Sequence, residues 1–272
     1  MMPETAINDQ LPTIDGGFMP YLAAGKLRGR KALITGGDSG IGRAVAILYA
    51  MEGAESTIVY LPEEQNDAEE TQRLVQEKGG KLHLIKADLR LHEQCKTVAE
   101  KARQLMGTVN ILVLNHGTQK VQQDIADIPE DQWINTFNTN IHPFFFLSKH
   151  IIPYMKRGDT IITCASINHY IGRPDLLDYS STKGAIVAFT RSLSNQQLSK
   201  GIRVNTVCPG PVWTPLIPAT MPSSAQEQFT SPMGRPGQPA EVATCFVFLA
   251  SQDSSFITGQ ALHPNGGTIT GS

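Results

Sequence analysis

Short apolar runs that alternate with amphipathic segments are the feature that most restricts the fold of this 272-residue chain. None of these runs alternates strictly between apolar and polar residues. Continuous apolar strands are typical of a sheet that is covered on both faces, which is usually a parallel sheet. The runs are KALIT (31–35), STIVY (56–60), LHLIK (82–86), NILVL (110–114), TIIT (160–163) and RVNTV (203–207).

Helical patterns separate these runs. Ile41, Ala44, Val45 and Leu48 form one apolar stripe directly after the first run. This order predicts an α/β fold: a single doubly wound Rossmann-type domain over 28–272, with a parallel sheet of about seven strands and helices on both faces. Residues 1–27 lack a clear periodicity and are predicted to form an N-terminal extended arm. The other predicted helices cover 64–78, 92–106, 130–150, 181–199 and 239–250.

Composition limits the classes of partner. The chain has 23 Lys and Arg against 25 Asp and Glu, a net charge of −2, so no basic field favours nucleic acid or an anionic membrane. We expect no nucleic acid, no membrane, and a small-molecule substrate. The four cysteines are far apart without CxxC spacing, which predicts neither a disulfide framework nor a metal site. A reducing compartment fits them, and we expect a cytoplasmic protein.

A glycine-rich turn, TGGDSGIG, joins the first run to the first helical stripe at 35–42. Gly36 permits a tight turn, Gly40 lets the backbone approach a pyrophosphate, and Gly42 allows close packing of helix on strand. A plain strand-to-helix loop also uses glycine, but the helix start that follows favours an anion. The turn lacks the Gly-Lys-Ser/Thr ending of a phosphate loop, so a dinucleotide is favoured over ATP.

Six ordered signals together resemble the short-chain dehydrogenase/reductase family, from about Lys31 to Gly267. They are TGGDSGIG at 35–42, Asp88 in ADL, Asn140 in NTNIHPFFF, Ser166 thirteen residues before Tyr179, YSSTK at 179–183, and RVNTVCPGPVWT at 203–214. The arm and the YLPEE after the second run look like the extended members that are similar to glucose and ribitol dehydrogenases.

The resemblance implies four catalytic residues. Tyr179 is the proton donor or acceptor, and Ser166 hydrogen-bonds the substrate oxygen. Lys183 lies on the same helix face as Tyr179 at i, i+4, where its ammonium favours the phenolate; it also binds the nicotinamide ribose. Asn140 holds a water that links the lysine to solvent. Taken alone, a Tyr and a Lys four apart on a helix are more often a solvated pair.

The cofactor residues follow from the glycine turn and from the resemblance. Asp88 matches an aspartate that contacts the adenine amine, although it could instead cap the helix over 92–106. Leu114 and His116 depart from the family's NNAG motif, and His116 is interpreted as structural or cofactor-contacting rather than as a spare acid–base group. Asn265 replaces an aspartate of many relatives. The cofactor-binding set is Gly36, Asp38, Ser39, Gly40, Ile41, Gly42, Arg43, Tyr60, Asp88, Leu89, Asn115, Gly117, Tyr179, Lys183, Pro209, Gly210, Val212 and Thr214.

Cofactor choice depends on the end of the second run. NAD-specific folds place an acidic side chain there, and this chain has Tyr60-Leu61. NADPH/NADP is therefore favoured, with NADH/NAD as the alternative. Arg43 could offer charge to a 2′-phosphate, or it could be a solvated helix residue.

Substrate contacts are predicted from the segment after Ser166 and from a flap at about 213–234, which contains no Lys or Arg. This composition favours a fairly apolar ketone or alcohol over a phosphorylated sugar, and Ile217 and Met221 would add to the apolar wall unless they only pack beneath the flap. Aromatic surface on 130–150, with the resemblance, implies a homotetramer. The substrate-binding set is Ser166, Asn168, Tyr170, Tyr179, Trp213 and Leu216.

The leading functional hypothesis is an NAD(P)-dependent oxidoreductase that interconverts a carbonyl and a secondary alcohol by hydride transfer. An isomerase, lyase or cyclase that keeps the dinucleotide as a scaffold is the alternative. A nonenzymatic dinucleotide sensor is a third class, and it is disfavoured because a sensor needs no proton relay.

Overall fold

The structure, a computed structural model, describes residues 6–220 and 230–270. Its strands are β1 (Gln10–Pro12), β2 (Phe18–Pro20), β3 (Lys31–Thr35), β4 (Glu55–Tyr60), β5 (Lys81–Lys86), β6 (Ile111–Leu114), β7 (Thr160–Cys164), β8 (Arg203–Val207) and β9 (Ala261–Leu262). Its helices are α1 (Gly40–Met51), α2 (Gln65–Glu77), α3 (His92–Met106), α4 (Glu130–Asn140), α5 (His142–Ile151), α6 (Asn168–Ile171), α7 (Leu177–Gln197), α8 (Leu216–Thr220) and α9 (Pro239–Ala250).

Strands β3 to β9 form one seven-stranded parallel sheet in the order β5-β4-β3-β6-β7-β8-β9. The doubly wound Rossmann-type prediction is confirmed. In this sheet β4 lies on one side of β3 and β6 lies on the other. The direction in which successive strands are added therefore reverses at β3. A crevice forms outside the carboxyl ends of the strands at such a point.

Alternating strand side chains build two cores. Ala32 and Ile34 of β3 pack into the cluster that contains α1, α2 and α9, whereas Leu33 packs into the cluster of α3, α5 and α7. The same alternation holds in β6, where Leu112 and Leu114 face the second cluster. Because both faces of each central strand are buried, these runs are apolar throughout.

The single helix predicted over 130–150 is wrong. The structure has two helices, α4 and α5, and the break falls at Ile141, whose φ of −127° departs from helical geometry. Pro143 lies in the first turn of α5. A proline has no N–H and its ring clashes with the carbonyl four residues earlier, so it ends the preceding helix.

The segment before β3 is more structured than an extended arm. β1 and β2 pair antiparallel, with Leu11 opposite Met19. The backbone of Ile7 bonds with the Gln238 side chain and with the amide of Ala240, at the start of α9. The hairpin was not predicted because its two strands have three residues each and carry no clear period.

The fully buried carboxylate of Glu52 anchors the C-terminal end of the segment before β3. Glu52, just past α1, accepts hydrogen bonds from the amides of Ala24 (3.1 Å) and Lys26 (2.7 Å) and from the Tyr21 hydroxyl (2.5 Å). Three donors replace the water that this carboxylate loses on burial. Among the helices that the structure describes, none is long and apolar enough to cross a membrane.

Candidate active site

The glycine turn connects β3 to α1 at the reversal point of the sheet. Gly36 and Gly40 have φ of +62° and +51°, a region that favours glycine. A Cβ on Gly42 would lie 1.8 Å from the carbonyl oxygen of Gly36, so only glycine fits there. Ser39 begins α1 without a capping bond from its side chain to the described residues. The first amides of α1 are therefore available to an anion such as a pyrophosphate.

Asn115 fixes the position of the turn against the end of β6. Its side-chain amide donates to the carbonyls of Thr35 (3.2 Å) and Gly36 (3.1 Å), and its backbone N–H donates to the Thr35 hydroxyl (3.0 Å). The two sides of the crevice are thus joined by one side chain. Sequence reasoning placed Asn115 among the cofactor residues but did not identify Thr35 as its partner.

His116 is half-buried beside the same turn, where it lines the cleft with its Nε2 buried. Its Nδ1 lies 2.7 Å from the Thr35 hydroxyl, and its ring packs edge-on against Phe144 with centroids 5.4 Å apart. Burial, with the nearby Lys183 ammonium, lowers the pKa of His116 to about 4. The imidazole is therefore neutral near pH 7, which favours the structural or cofactor-contacting interpretation over an acid–base role.

A cleft of about 930 Å³ runs along the carboxyl ends of the strands. Most of the predicted cofactor residues line it: Gly36, Asp38, Ser39, Gly40, Ile41, Tyr60, Asp88, Leu89, Asn115, Gly117, Tyr179, Lys183, Pro209, Gly210, Val212 and Thr214. Of the predicted substrate residues, Ser166, Asn168, Tyr179 and Leu216 line it as well. The volume is ample for a dinucleotide and a small substrate together.

Five predicted site residues do not line the cleft: Gly42, Arg43, Asn140, Tyr170 and Trp213. Gly42 packs beneath the turn instead. The Arg43 guanidinium donates to the Asp38 carbonyl, the Thr71 hydroxyl and Asp67, and thereby joins α1 to α2. In this structure Arg43 is therefore neither a phosphate clamp nor a solvated residue. Met221 lies outside the described residues.

Tyr179 and Lys183 lie one turn apart in the first half of α7. The Lys183 ammonium is 5.2 Å from the Tyr179 ring centroid and donates to the Cys164 carbonyl at 2.9 Å. Only 3% of Lys183 is exposed, so its charge is nearly desolvated. Ser166 lies two residues past the end of β7, and its Oγ accepts from the Asn168 amide at 3.2 Å. This bond leaves the Ser166 hydroxyl proton free to donate elsewhere.

Asn140, fully buried at the end of α4, binds the loop that follows β6. Its Oδ1 accepts from the Thr118 amide (2.7 Å), and its Nδ2 donates to the Thr118 carbonyl (2.9 Å) and to the Thr182 hydroxyl (3.0 Å). A Cβ on Gly117 would lie 3.3 Å from Asn140 Oδ1 and 3.5 Å from Lys183 Nζ. The absence of a side chain at residue 117 thus leaves room between them.

Asp178 is a site residue that the sequence reasoning missed. Its carboxylate is 1% exposed and accepts from the Thr136 hydroxyl (2.7 Å) and the Gln132 amide (3.1 Å), both on α4. Its other oxygen accepts from the Tyr179 amide at 2.8 Å. Asp178 therefore fixes the start of α7 against α4, next to the predicted catalytic tyrosine. Its place directly before Tyr179 was the available signal.

The ends of the cleft have different chemistry. At one end, Asp88 forms a paired salt bridge with Arg90 rather than capping α3, which has Leu91 at its N-cap. At the other end, a Cβ on Gly210 would lie 2.7 Å from Asn265, whose side chain braces its own loop through Gly267 and Thr268. A Cβ on Gly40 would lie 3.2 Å from Thr214, so the glycine turn and the segment after β8 meet there.

These features fit a dinucleotide. The site combines a helix start with free amides, two glycine positions where a Cβ would collide, and a long cleft at the reversal point of a parallel sheet. Together these features define a nucleotide-dependent α/β enzyme.

The comparisons with known proteins agree with this class. A family model described as enoyl-(acyl carrier protein) reductase, one of the short-chain dehydrogenase/reductase models, matches residues 36–268. The chain is 48% identical to glucose and ribitol dehydrogenase of Daucus carota, over 92% of this chain and 88% of that protein. It is 47% identical to the chloroplastic NADPH-dependent aldehyde reductase 1 of Arabidopsis thaliana, over 92% of this chain and 89% of that protein.

A solved structure shares the fold. A short-chain dehydrogenase from Burkholderia cenocepacia, crystallised with NADP, superposes with a TM-score of 0.83 at 25% identity, covering 89% of this chain and 98% of that one. The chain belongs to the short-chain dehydrogenase/reductase family. It is an NAD(P)-dependent oxidoreductase that interconverts a carbonyl and an alcohol, as the leading hypothesis predicted.

Proposed function

We propose that Tyr179 transfers the proton in this reaction, with Lys183, Ser166 and Asn140 as its partners. The buried Lys183 ammonium beside the Tyr179 ring is the observation that carries the proposal. Because Lys183 is nearly buried, its charge stabilises the negative charge that develops on the Tyr179 oxygen as the hydroxyl proton moves to the substrate oxygen. The bound nicotinamide supplies or accepts the hydride.

Each remaining residue has a defined part in the proton transfer. The free proton of Ser166 Oγ hydrogen-bonds the substrate oxygen and holds it near the tyrosine. Lys183 restores the proton of Tyr179 during reduction and is itself reprotonated by solvent. Asn140 holds the Thr118 backbone and α7 in register, so that the lysine keeps its place at the Cys164 carbonyl.

Replacing the phenol tests the assignment. We expect Tyr179→Phe to reduce carbonyl turnover, followed as absorbance at about 340 nm, by at least about 100-fold, since proton transfer by a placed group contributes that much. Cofactor binding should persist. Tyr154→Phe, at a half-exposed tyrosine, is the matched control and should be fully active. A Tyr179→Phe enzyme with a near-normal rate would remove Tyr179 from this role, and product formation without net cofactor turnover would favour an isomerase, lyase or cyclase.

We propose NADPH as the preferred cofactor. Tyr60 and Leu61 line the cleft at the end of β4 without a charge, so neither repels a 2′-phosphate; the acids Glu63 and Glu64 line the cleft further along the chain. The relative from Arabidopsis thaliana named for NADPH and the structure crystallised with NADP support the same choice. Arg43 contributes nothing to this argument because Asp67 and two other groups already occupy its guanidinium.

An acid at residue 61 tests the preference. Leu61→Asp should lower kcat/KM for NADPH relative to NADH by about tenfold, equivalent to about 1.4 kcal/mol of repulsion. Leu61→Asn, with the same shape and no charge, is the matched control and should keep the wild-type ratio. A wild-type enzyme that already prefers NADH would overturn the proposal.

For the substrate we propose an uncharged, fairly apolar ketone or alcohol. Ile167, Ile171, Leu216 and Ile217 line the cleft beside Ser166, and the Arg173 guanidinium that also reaches it is paired with Asp175. A panel of apolar ketones and their phosphorylated or carboxylated analogues tests this. Turnover confined to the charged compounds would contradict it.

We also propose a homotetramer in the cytoplasm. Trp133 and Ile134 on α4 and Phe145 on α5 are exposed, and Trp133 packs on Phe137 at 4.8 Å, which leaves a flat apolar face without a partner among the described residues. Such faces mark interfaces. Light scattering at micromolar concentration should give four times the chain mass; a monomeric mass would refute the tetramer. Four free cysteines in the described chain suit a reducing compartment.

A further inference from the structure

Two histidines and a cysteine converge beside the active site without any role in the proton transfer. His169 lies in α6, Cys208 directly follows β8, and His263 directly follows β9. Ligand atoms from the three side chains all lie within 4.8 Å of one another. The residues are 39 and 55 positions apart along the chain (208 − 169 and 263 − 208), so no spacing motif identified them. The parallel sheet brings them together because β7, β8 and β9 end at the same edge.

The two histidines present free ring nitrogens. His169 Nδ1 is bonded to the Ser166 carbonyl oxygen. A carbonyl only accepts, so Nδ1 carries a proton and Nε2 is the ring nitrogen left to bind a ligand. Nε2 of His169 and Nε2 of His263 are both buried without a hydrogen-bond partner in the described residues. Buried polar nitrogens of this kind are costly unless something binds them.

Packing holds these side chains close together. The rings of His169 and His263 stack with centroids 5.7 Å apart, and Tyr170 covers both rings at 4.4 and 5.6 Å. Cys208 is fully buried.

The backbone around the cluster is already fixed. The Cys208 amide donates to the Leu262 carbonyl at 2.7 Å, and the Ile167 amide donates to the Pro209 carbonyl at 2.9 Å. These bonds join all three ligand-bearing segments. In a tetrahedral zinc site the ligand atoms are about 3.4–3.6 Å apart, given Zn–N of about 2.0–2.1 Å and Zn–S of about 2.3 Å. Rotation of the two half-buried imidazoles would close the remaining distance of about 1 Å.

We propose that His169, Cys208 and His263 form a binding site for a zinc-class divalent ion, with three protein ligands and a fourth position open to water. Zinc takes this mixture of imidazole and thiolate. The ion would bind Cys208 as the thiolate and displace its proton to solvent. Bound zinc would join the Ser166 segment to the segments after β8 and β9.

Zinc titration of the full chain, stripped with chelator beforehand, tests the site. We expect one zinc per chain, a rise in Tm on zinc addition, and a thiolate-to-metal charge-transfer band in the near ultraviolet with Co²⁺. His263→Asn should weaken binding by at least about 100-fold, or about 2.7 kcal/mol, and Cys208→Ala should remove the band. His150→Asn and Cys245→Ala are the matched controls and should bind as the wild type does.

The outcome does not depend on whether the buried Cys208→Ala variant folds. His263 is only half-buried, so His263→Asn can be compared with the wild type by Tm in the absence of metal. Equal zinc affinity of wild type and His263→Asn, or a Co²⁺ complex without the thiolate band, would overturn the proposal. Loss of zinc binding in His263→Asn with an unchanged metal-free Tm would support it.

Discussion

His116 should make the stability of this enzyme depend on pH. Its pKa is about 4 in the folded chain, against a usual value of about 6.5 in an unfolded chain. Below about pH 6.5 the unfolded state binds a proton that the folded state does not, so the free energy of unfolding falls as the pH falls. The stability that His116 contributes is fully present above the pKa of its unfolded state, about 6.5. It is lost progressively as the pH falls to about 4.

The size of the effect follows from the pKa difference. Lowering the pKa from about 6.5 to about 4 is equivalent to about 3 kcal/mol of stability in total, and about 2 kcal/mol of this is lost by pH 5. His116→Asn places an amide near the position of Nδ1, can keep the bond to the Thr35 hydroxyl, and does not titrate. We expect this variant to lose less stability than the wild type between about pH 7.5 and pH 5.

Chemical denaturation at those two pH values measures the difference. The exposed His142, whose Nδ1 bonds to Asn138, provides the matched control as His142→Asn, which should keep the wild-type dependence on pH. A wild-type enzyme and a His116→Asn variant with the same loss of stability would refute the reasoning, because the folded state would then protonate His116 as easily as the unfolded state does.

Three further substitutions test other contacts. Gly42→Ala puts a Cβ against the Gly36 carbonyl and should weaken cofactor binding more than about tenfold, or about 1.4 kcal/mol by titration, whereas Gly184→Ala, in open space on α7, should not. Glu52→Ala leaves two arm amides without their acceptor and should lower the free energy of unfolding by about 3 kcal/mol; a loss below about 0.5 kcal/mol would contradict this. Asn140→Ala should lower kcat about 100-fold with cofactor Kd unchanged; a kcat within about twofold of wild type would show that Asn140 does not position Lys183 for proton transfer.

Strand-length apolar runs were sufficient to predict the parallel sheet, because strands buried on both faces must be apolar throughout. They did not predict β9, where only Ala261 and Leu262 pair with β8. The helix prediction over 130–150 followed the apolar positions and ignored Pro143, although a local rule on proline would have placed the break correctly.

Site residues whose position depends on local chain geometry could be predicted from the sequence. Residues whose position depends on tertiary contacts were harder to predict. The glycine turn and the Tyr179–Lys183 spacing are local features, and the structure brings both to one cleft. Arg43 could not be placed from sequence, because its partners Thr71 and Asp67 come from another helix. The bonds of Asp178 to α4 were hidden for the same reason.

The contact of Asp178 with α4 has a thermodynamic consequence. Gln132 and Thr136 hold this carboxylate from one side of α4, while Trp133 and Ile134 of the same helix are exposed on another. Anything that packs on the exposed side and shifts α4 also shifts the start of α7, where the tyrosine lies. Linkage is reciprocal for binding free energies, so if copies of the chain associate through α4, that association and occupancy of the cleft influence each other to the same extent.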